Sequence, residues 1–177
     1  MKEDIMTAAA ETVDLRPKIV TGKYLIFSIG QRSYGICLQK VREIIRQQEI
    51  TPIPQMPEFI LGVINLRGKM LPVMDLRRRL GCMDNKKTES TCIIIAKLKS
   101  SSAETFEMGF IVDAAQEVVF ISRNDLDDAP GFNSDVDSKA MLAVATIKGV
   151  PKTLLDIETL VEPQVKQLFN PEQAAKS

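Results

Sequence analysis

Few side chains in this sequence could do chemistry, and their spacing excludes most catalytic roles. Histidine is absent from the 177 residues, which removes the commonest general base, the usual zinc ligand and every histidine-dependent nucleophile triad. Cys37, Cys82 and Cys92 are odd in number and follow no metal-ligand spacing, so reduced thiols packed as small apolar groups are expected. Gly68-Lys69 superficially resembles a phosphate loop, but it has neither the upstream glycine nor a following Ser or Thr. Asp125, Asp127, Asp128, Asp135 and Asp137 cluster without the spacing of a calcium loop, and a solvated loop is expected. No metal or cofactor is implied. What remains is cationic. Arg77-Arg78-Arg79 reads as the solvated face of a short helix or, less economically, as a phosphate or nucleic-acid patch. Arg67 has no acidic partner nearby in sequence. Its guanidinium offers five donors in a rigid fork, suited to a carboxylate or to backbone carbonyls on a partner.

The element that must position Arg67 is a hairpin. Glycine accepts positive φ without steric cost, so Gly68 places a tight turn at Arg67-Gly68. With Leu66 and Lys69 flanking the turn, Ile64 pairs with Leu71 and Gly62 with Val73. Ile64, Leu71 and Val73 then share one face, and Val63, Met70, Pro72 and Met74 the other. Both faces are largely apolar, which suits docking better than catalysis. Asp75 is placed to cap a short helix that Gly81 closes. It lies roughly 20 Å from Arg67 at ~3.3 Å per residue, too far to neutralise it.

The bulk numbers fit that view. Apolar residues make 45% and charged residues 26%, ordinary for a globular domain. Lys and Arg total 23 and so do Asp and Glu; the absent basic excess argues against a dedicated nucleic-acid binder. Aromatics are only 5% and tryptophan is missing, a poor base-stacking inventory. No apolar run reaches a membrane-spanning length and the N-terminus lacks a basic segment followed by an apolar one, so a cytoplasmic protein without membrane insertion is expected.

Along the chain, residues 1–22 read as a mobile tail. Tyr24 to Ile29 and Tyr34 to Leu38 read as strands, and Leu38, Val41, Ile44 and Ile45 have helical spacing for two turns at most. Strand candidates follow the hairpin at Thr91 to Leu98, Phe106 to Val112 and Gln116 to Ile121, with a final hairpin at Lys139 to Ile157 turning on Lys148-Gly149. A Ser-rich turn falls at 100–102 and an acidic loop at 125–137. This density of short strands predicts an all-β protein with short helices, built as two small five-stranded barrels of the SH3 or oligonucleotide-binding kind.

Asn65-Leu66-Arg67-Gly68 followed by Leu71-Pro72-Val73-Met74-Asp75-Leu76-Arg77 resembles the signature of CheW-like proteins, the coupling proteins of bacterial chemotaxis. Further matches are Tyr34-Gly35-Ile36, Val41-Arg42-Glu43-Ile44, Pro57 to Val63, Gly109 to Asp113, Glu117-Val118-Val119 and Leu154 to Glu158. The resemblance spans 23–163, leaving 164–177 as a C-terminal tail. The loop from Lys99 to Thr105 and the acidic loop depart from the family pattern. The resemblance implies two barrels packed around a shared groove, exchanging strands, with an approximate split near 85. It implies a stand-alone, non-enzymatic adaptor that joins the cytoplasmic tip of a chemoreceptor to the CheW-like regulatory domain of the histidine kinase CheA. The receptor-facing groove residues it implies are Val41, Glu43, Gly62, Val63, Arg67 and Met70, while Gly68, Asp75 and Gly81 hold the turn and cap. An adaptor of a non-flagellar chemosensory pathway fits equally. From another class, an oligonucleotide-binding barrel using the arginine run is the alternative.

Overall fold

The structure is a computed structural model and describes residues 21–82, 86–99, 104–127 and 140–161. The expected tails, the Ser-rich turn at 100–102 and most of the acidic loop lie outside the described residues. Ten strands and two one-turn helices make up the described fold. The strands are β1 (Gly22–Ile29), β2 (Arg32–Cys37), β3 (Val41–Arg46), β4 (Ile60–Leu66), β5 (Lys69–Asp75), β6 (Cys92–Lys99), β7 (Thr105–Val112), β8 (Ala114–Ile121), β9 (Met141–Ile147) and β10 (Val150–Leu155). Helix α1 (Leu76–Arg79) follows β5 and α2 (Ile157–Leu160) follows β10.

The strands form two five-stranded sheets. The terminal sheet has the order β8-β1-β2-β10-β9 and draws on both ends of the chain; the central sheet, β3-β6-β7-β5-β4, is contiguous between them. Position 85 therefore does not separate the sheets. It falls inside the central sheet's segment, between α1 and β6, and the chain changes sheets at Leu38–Lys40 and again at Asp113.

Neither sheet is a closed barrel. Each curls until the segment following one edge strand reaches the opposite edge strand through one isolated bridge, Thr51 after β3 to Val63 of β4 in the central sheet and Leu126 after β8 to Ala145 of β9 in the terminal sheet. The curl gives each sheet two apolar faces, which is why Ile93, Ile94, Ile95 and Ala96 are all buried. Alternate residues divide among three cores. Leu25, Phe27, Met74, Ile94 and Phe110 fill the space between the sheets. Ile64, Leu71, Val73, Ile93, Ile95 and Ile111 fill the central sheet's interior, and Tyr24, Ile26, Ile121, Ala145 and Leu154 the terminal sheet's. A fully buried Leu or Ile contributes about 1.5–3 kcal/mol.

The two sheets repeat one plan. In each, an edge strand, an antiparallel pair, a parallel joint and a final hairpin occur in the same order. Gly109 lies beside Val73 at one parallel joint and Gly35 beside Leu154 at the other. A Cβ on Gly109 would stand 2.8 Å from Ile93 Cγ2 of β6, and one on Gly35 would stand 2.9 Å from Leu154 Cδ2 across the parallel joint, so a side chain at either position would have to displace a packed neighbour. The hairpins turn on Arg67-Gly68 (φ 52° and 85°) and Lys148-Gly149 (φ 51° and 79°). The helices are capped by Asp75 and Asp156, whose carboxylates accept from Arg77 N–H and Glu158 N–H. The repeat is circularly permuted, since the terminal sheet takes its antiparallel pair from the chain's start.

Candidate functional site

The hairpin carrying Arg67 has the register counted from its turn: Leu66 opposes Lys69, Ile64 opposes Leu71 and Gly62 opposes Val73. Two consecutive positive φ values make the turn of the primed type that matches strand twist. A left-handed arginine is uncommon. Asn65 supports it, its Oδ1 accepting the Gly68 N–H at 2.9 Å. Gly62 is needed for another reason: at φ 145° its absent Cβ would lie 2.0 Å from the Thr51 carbonyl oxygen, at the Thr51–Val63 bridge that closes the sheet.

Arg67 is not the lone cation the local sequence suggests. Its Nη1 and Nη2 donate to Glu43 Oε1 and Oε2, both at 2.7 Å, in a bidentate fork. The two residues sit on opposite edges of the central sheet, Glu43 on β3 and Arg67 on the β4–β5 turn, so the pair spans the mouth of the curl. Arg67 remains 73% exposed and Glu43 29%. The guanidinium's hydrogen bonds hold the Glu43 carboxyl below its ordinary value, helped by the charges of Arg67 and Arg42. The same bonds raise Arg67. Arg42 pairs with Glu107 at 3.4 Å alongside.

Val41 and Glu43 lie on a strand rather than a helix. Leu38–Lys40 makes a single 3-10 turn, and β3 then pairs antiparallel with β6. A register shift between Val41 and Glu43 turns them to different sides. Val41 packs on the core between the sheets, whereas Ile45, two residues beyond Glu43, packs into the central sheet. Val63 and Met70 lie on the hairpin's outer face and join none of the three cores. Met70 is 57% exposed. Ile44, which sequence reasoning placed on a helix and passed over, is a second exposed apolar side chain, on the strand that carries Glu43. The strand signal was its alternating burial, hidden in a run that mixes charged and apolar residues.

Asp75 caps α1, and Gly81 at φ 79° closes it with its N–H on the Arg78 carbonyl. Arg77 departs from the expected solvated face. It is buried, donates from Nε and Nη2 to the two Asp75 oxygens at 3.0 Å, and lies 3.5 Å from Asp113. Asp75's bonds raise the guanidinium against the cost of burial. Arg79 donates to the Leu160 carbonyl and stacks over Phe59. The triplet is therefore no free cationic stripe, and the nucleic-acid reading loses its main support. One exposed aromatic was also missed: Phe120 on β8 stands out with Val118, and Val150 lies at the start of β10. Among the described residues no group of His, Cys, Asp or Glu could hold a metal ion, and no helix is long and apolar enough to cross a membrane.

Residues 23–164 match the family model described as a CheW-like domain. The chain belongs to the CheW-like family. It is 31% identical over 147 residues to the chemotaxis protein CheW of Rhizobium meliloti, covering 82% of this chain and 92% of that one. To CheW of Bacillus subtilis it is 31% identical over 159 residues, covering 89% and 98%. A crystal structure of the scaffolding protein TtCheW from Thermoanaerobacter tengcongensis superposes with a TM-score of 0.73 at 31% identity, covering 85% of this chain and 99% of that one. These relatives place the chain among chemotaxis scaffolds and adaptors.

Proposed function

We propose that the protein is a non-enzymatic adaptor that couples chemoreceptors to the histidine kinase CheA. The central sheet's mouth takes the receptor's cytoplasmic tip, with Arg67 and Glu43 as the polar anchor. Val63, Met70 and Ile44 supply apolar contact to a receptor helix, Val41 backs β3 from the core between the sheets, and Gly62 and Gly68 hold the backbone that presents them. The observation that carries this reading is the exposed bidentate pair. A guanidinium fixed by two charge-assisted bonds is held in place before binding. Its free edge and the Glu43 oxygens can still engage carbonyl or side-chain groups of a helix. Exposed Met70 adapts to an imperfect apolar face.

The kinase's matching regulatory domain docks sheet to sheet on apolar strand surfaces, for which exposed Val118 and Phe120 on the edge strand β8 are suited. The protein works in the cytoplasm and is recruited to receptor arrays at the membrane. Its mechanism is assembly: holding receptor and kinase together lets receptor state bias the kinase's active population. The direct test is co-sedimentation. With vesicles bearing receptor cytoplasmic fragments, the kinase enters the pellet when this protein is present; a kinase that stays in the supernatant contradicts the proposal.

A further inference from the structure

The repeat between the sheets extends to the polar ties that join them, and there the charges are reversed. At the crossover into the terminal sheet, Asp113 faces Arg77 of the central sheet's segment at 3.5 Å and accepts the Gly30 N–H at 2.6 Å. At the crossover into the central sheet, Lys40 faces Glu158 of α2 at 3.1 Å and Asp156 at 3.9 Å. Glu158 in turn accepts the Lys99 N–H of β6 at 3.3 Å. Each tie thus joins a helix, a crossover and a hairpin across the two sheets, through the β1–β2 turn in one and the end of β6 in the other. In one the helix supplies the cation, in the other the acid.

The ties differ in solvation. Arg77 is 2% exposed and its partner Asp113 26%, whereas Lys40 and Glu158 are 35% and 25% exposed. The first is sheltered, with Arg77 also held by Asp75. The second meets solvent on both partners and is open to salt screening. The apolar core between the sheets resists separation but has no direction of its own. Directional contacts at both crossovers oppose rotation of one sheet over the other. Lys40 also immediately precedes Val41, the first residue of the strand that carries Glu43.

We infer that Lys40 and Glu158 are positioning residues for signal coupling: their ion pair sets the terminal sheet's orientation against the receptor-facing strand. The inference rests on the adaptor reading above. Receptor binding needs only the central sheet's mouth; passing the signal on requires the terminal sheet to stand in register with it.

The test uses full-length protein in reconstitution with receptor fragments and the kinase. Three variants are compared with the wild type: Lys40→Glu, Glu158→Lys and their combination, with Glu158→Gln as the mild version should a reversal fail to fold. The expected result is unchanged receptor affinity with about a fivefold loss of receptor-dependent kinase activation in each single reversal, and partial recovery in the double, since a lysine at 158 cannot accept the Lys99 N–H and a glutamate at 40 faces Asp156. Wild-type activation falls as salt rises from about 50 to about 300 mM more steeply than that of Glu158→Gln, because the exposed pair is screened. Single reversals that couple like the wild type, or that lose receptor affinity in parallel, overturn the inference. A wild type that fails to activate the kinase at any salt overturns the adaptor reading instead.

Discussion

Glu43 and Arg67 are 24 residues apart in sequence, yet their side chains meet through two parallel bonds of 2.7 Å. The contact is made by two edges of one sheet, so it exists only when the central sheet is fully curled. It presents a polar anchor on the outside while reporting on the geometry beneath it.

Removing that anchor costs binding rather than folding. Arg67→Ala lowers receptor affinity by about tenfold or more, since polar groups on the partner lose a preorganised fork. Its melting temperature stays close to the wild type's, because an exposed pair contributes little to stability. Arg67→Lys recovers only part of the affinity, as an ammonium cannot make the bidentate contact. Calorimetric titration with receptor fragment, paired with thermal melts, separates the two effects.

Arg77 behaves in the opposite way. Replacing it by Ala leaves the buried Asp75 only the solvent-exposed Arg78 at 3.7 Å and is expected to destabilise the fold by about 3–5 kcal/mol. The urea midpoint drops well below the wild type's. A shift no larger than that of Arg78→Ala would contradict the buried-pair account.

The hairpin glycines rank by what surrounds them. Gly62→Ala forces a methyl onto the Thr51 carbonyl oxygen, 2.0 Å from the ideal Cβ position, and opens the bridge that closes the central sheet. Gly68→Ala meets no atom within 4 Å and bears only the backbone cost of a left-handed residue, about 1–2 kcal/mol. Denaturant melts should place Gly62→Ala as the more damaging of the two.

The pH dependence follows from the Glu43–Arg67 pair. Arg67 holds the Glu43 carboxyl below its ordinary value, so the pair's contribution is present above the unfolded carboxylate range and is lost only as pH falls through the depressed folded value. The chain has no histidine, so no side chain with that group's ordinary titration range is present. Receptor affinity is therefore flat from about pH 6 to about pH 8. A step in that interval, measured with a receptor fragment whose own titration has been subtracted, would contradict the assignment.

The β4–β5 hairpin was legible from sequence because a two-residue turn with glycine fixes register, and register fixes which side chains share a face. The cap at Asp75 was legible because capping is local. β3 was missed because Val41-Arg42-Glu43-Ile44-Ile45-Arg46 is short and its apolar residues follow helical spacing without alternating; the register shift between Val41 and Glu43 is what fits it to a strand. The pairing of Arg67 with Glu43 and the contact of Arg77 with Asp113 were missed because those acids are remote in sequence and arrive only through sheet closure and the crossover, while Asp75, two residues from Arg77, was read only as a cap. The duplicated plan was hidden by its permutation: the shared turn glycines and capping aspartates are visible, but the matching antiparallel pair stands at the other end of the chain.

The central claim is that this chain makes kinase activity depend on receptors, and the most direct measurement is the kinase's autophosphorylation rate in the presence of receptor fragments, with and without this protein. The account predicts a clear rise on adding the wild type and little rise with Arg67→Ala at equal concentration. No rise with the wild type, under conditions where all three components are folded, would contradict it.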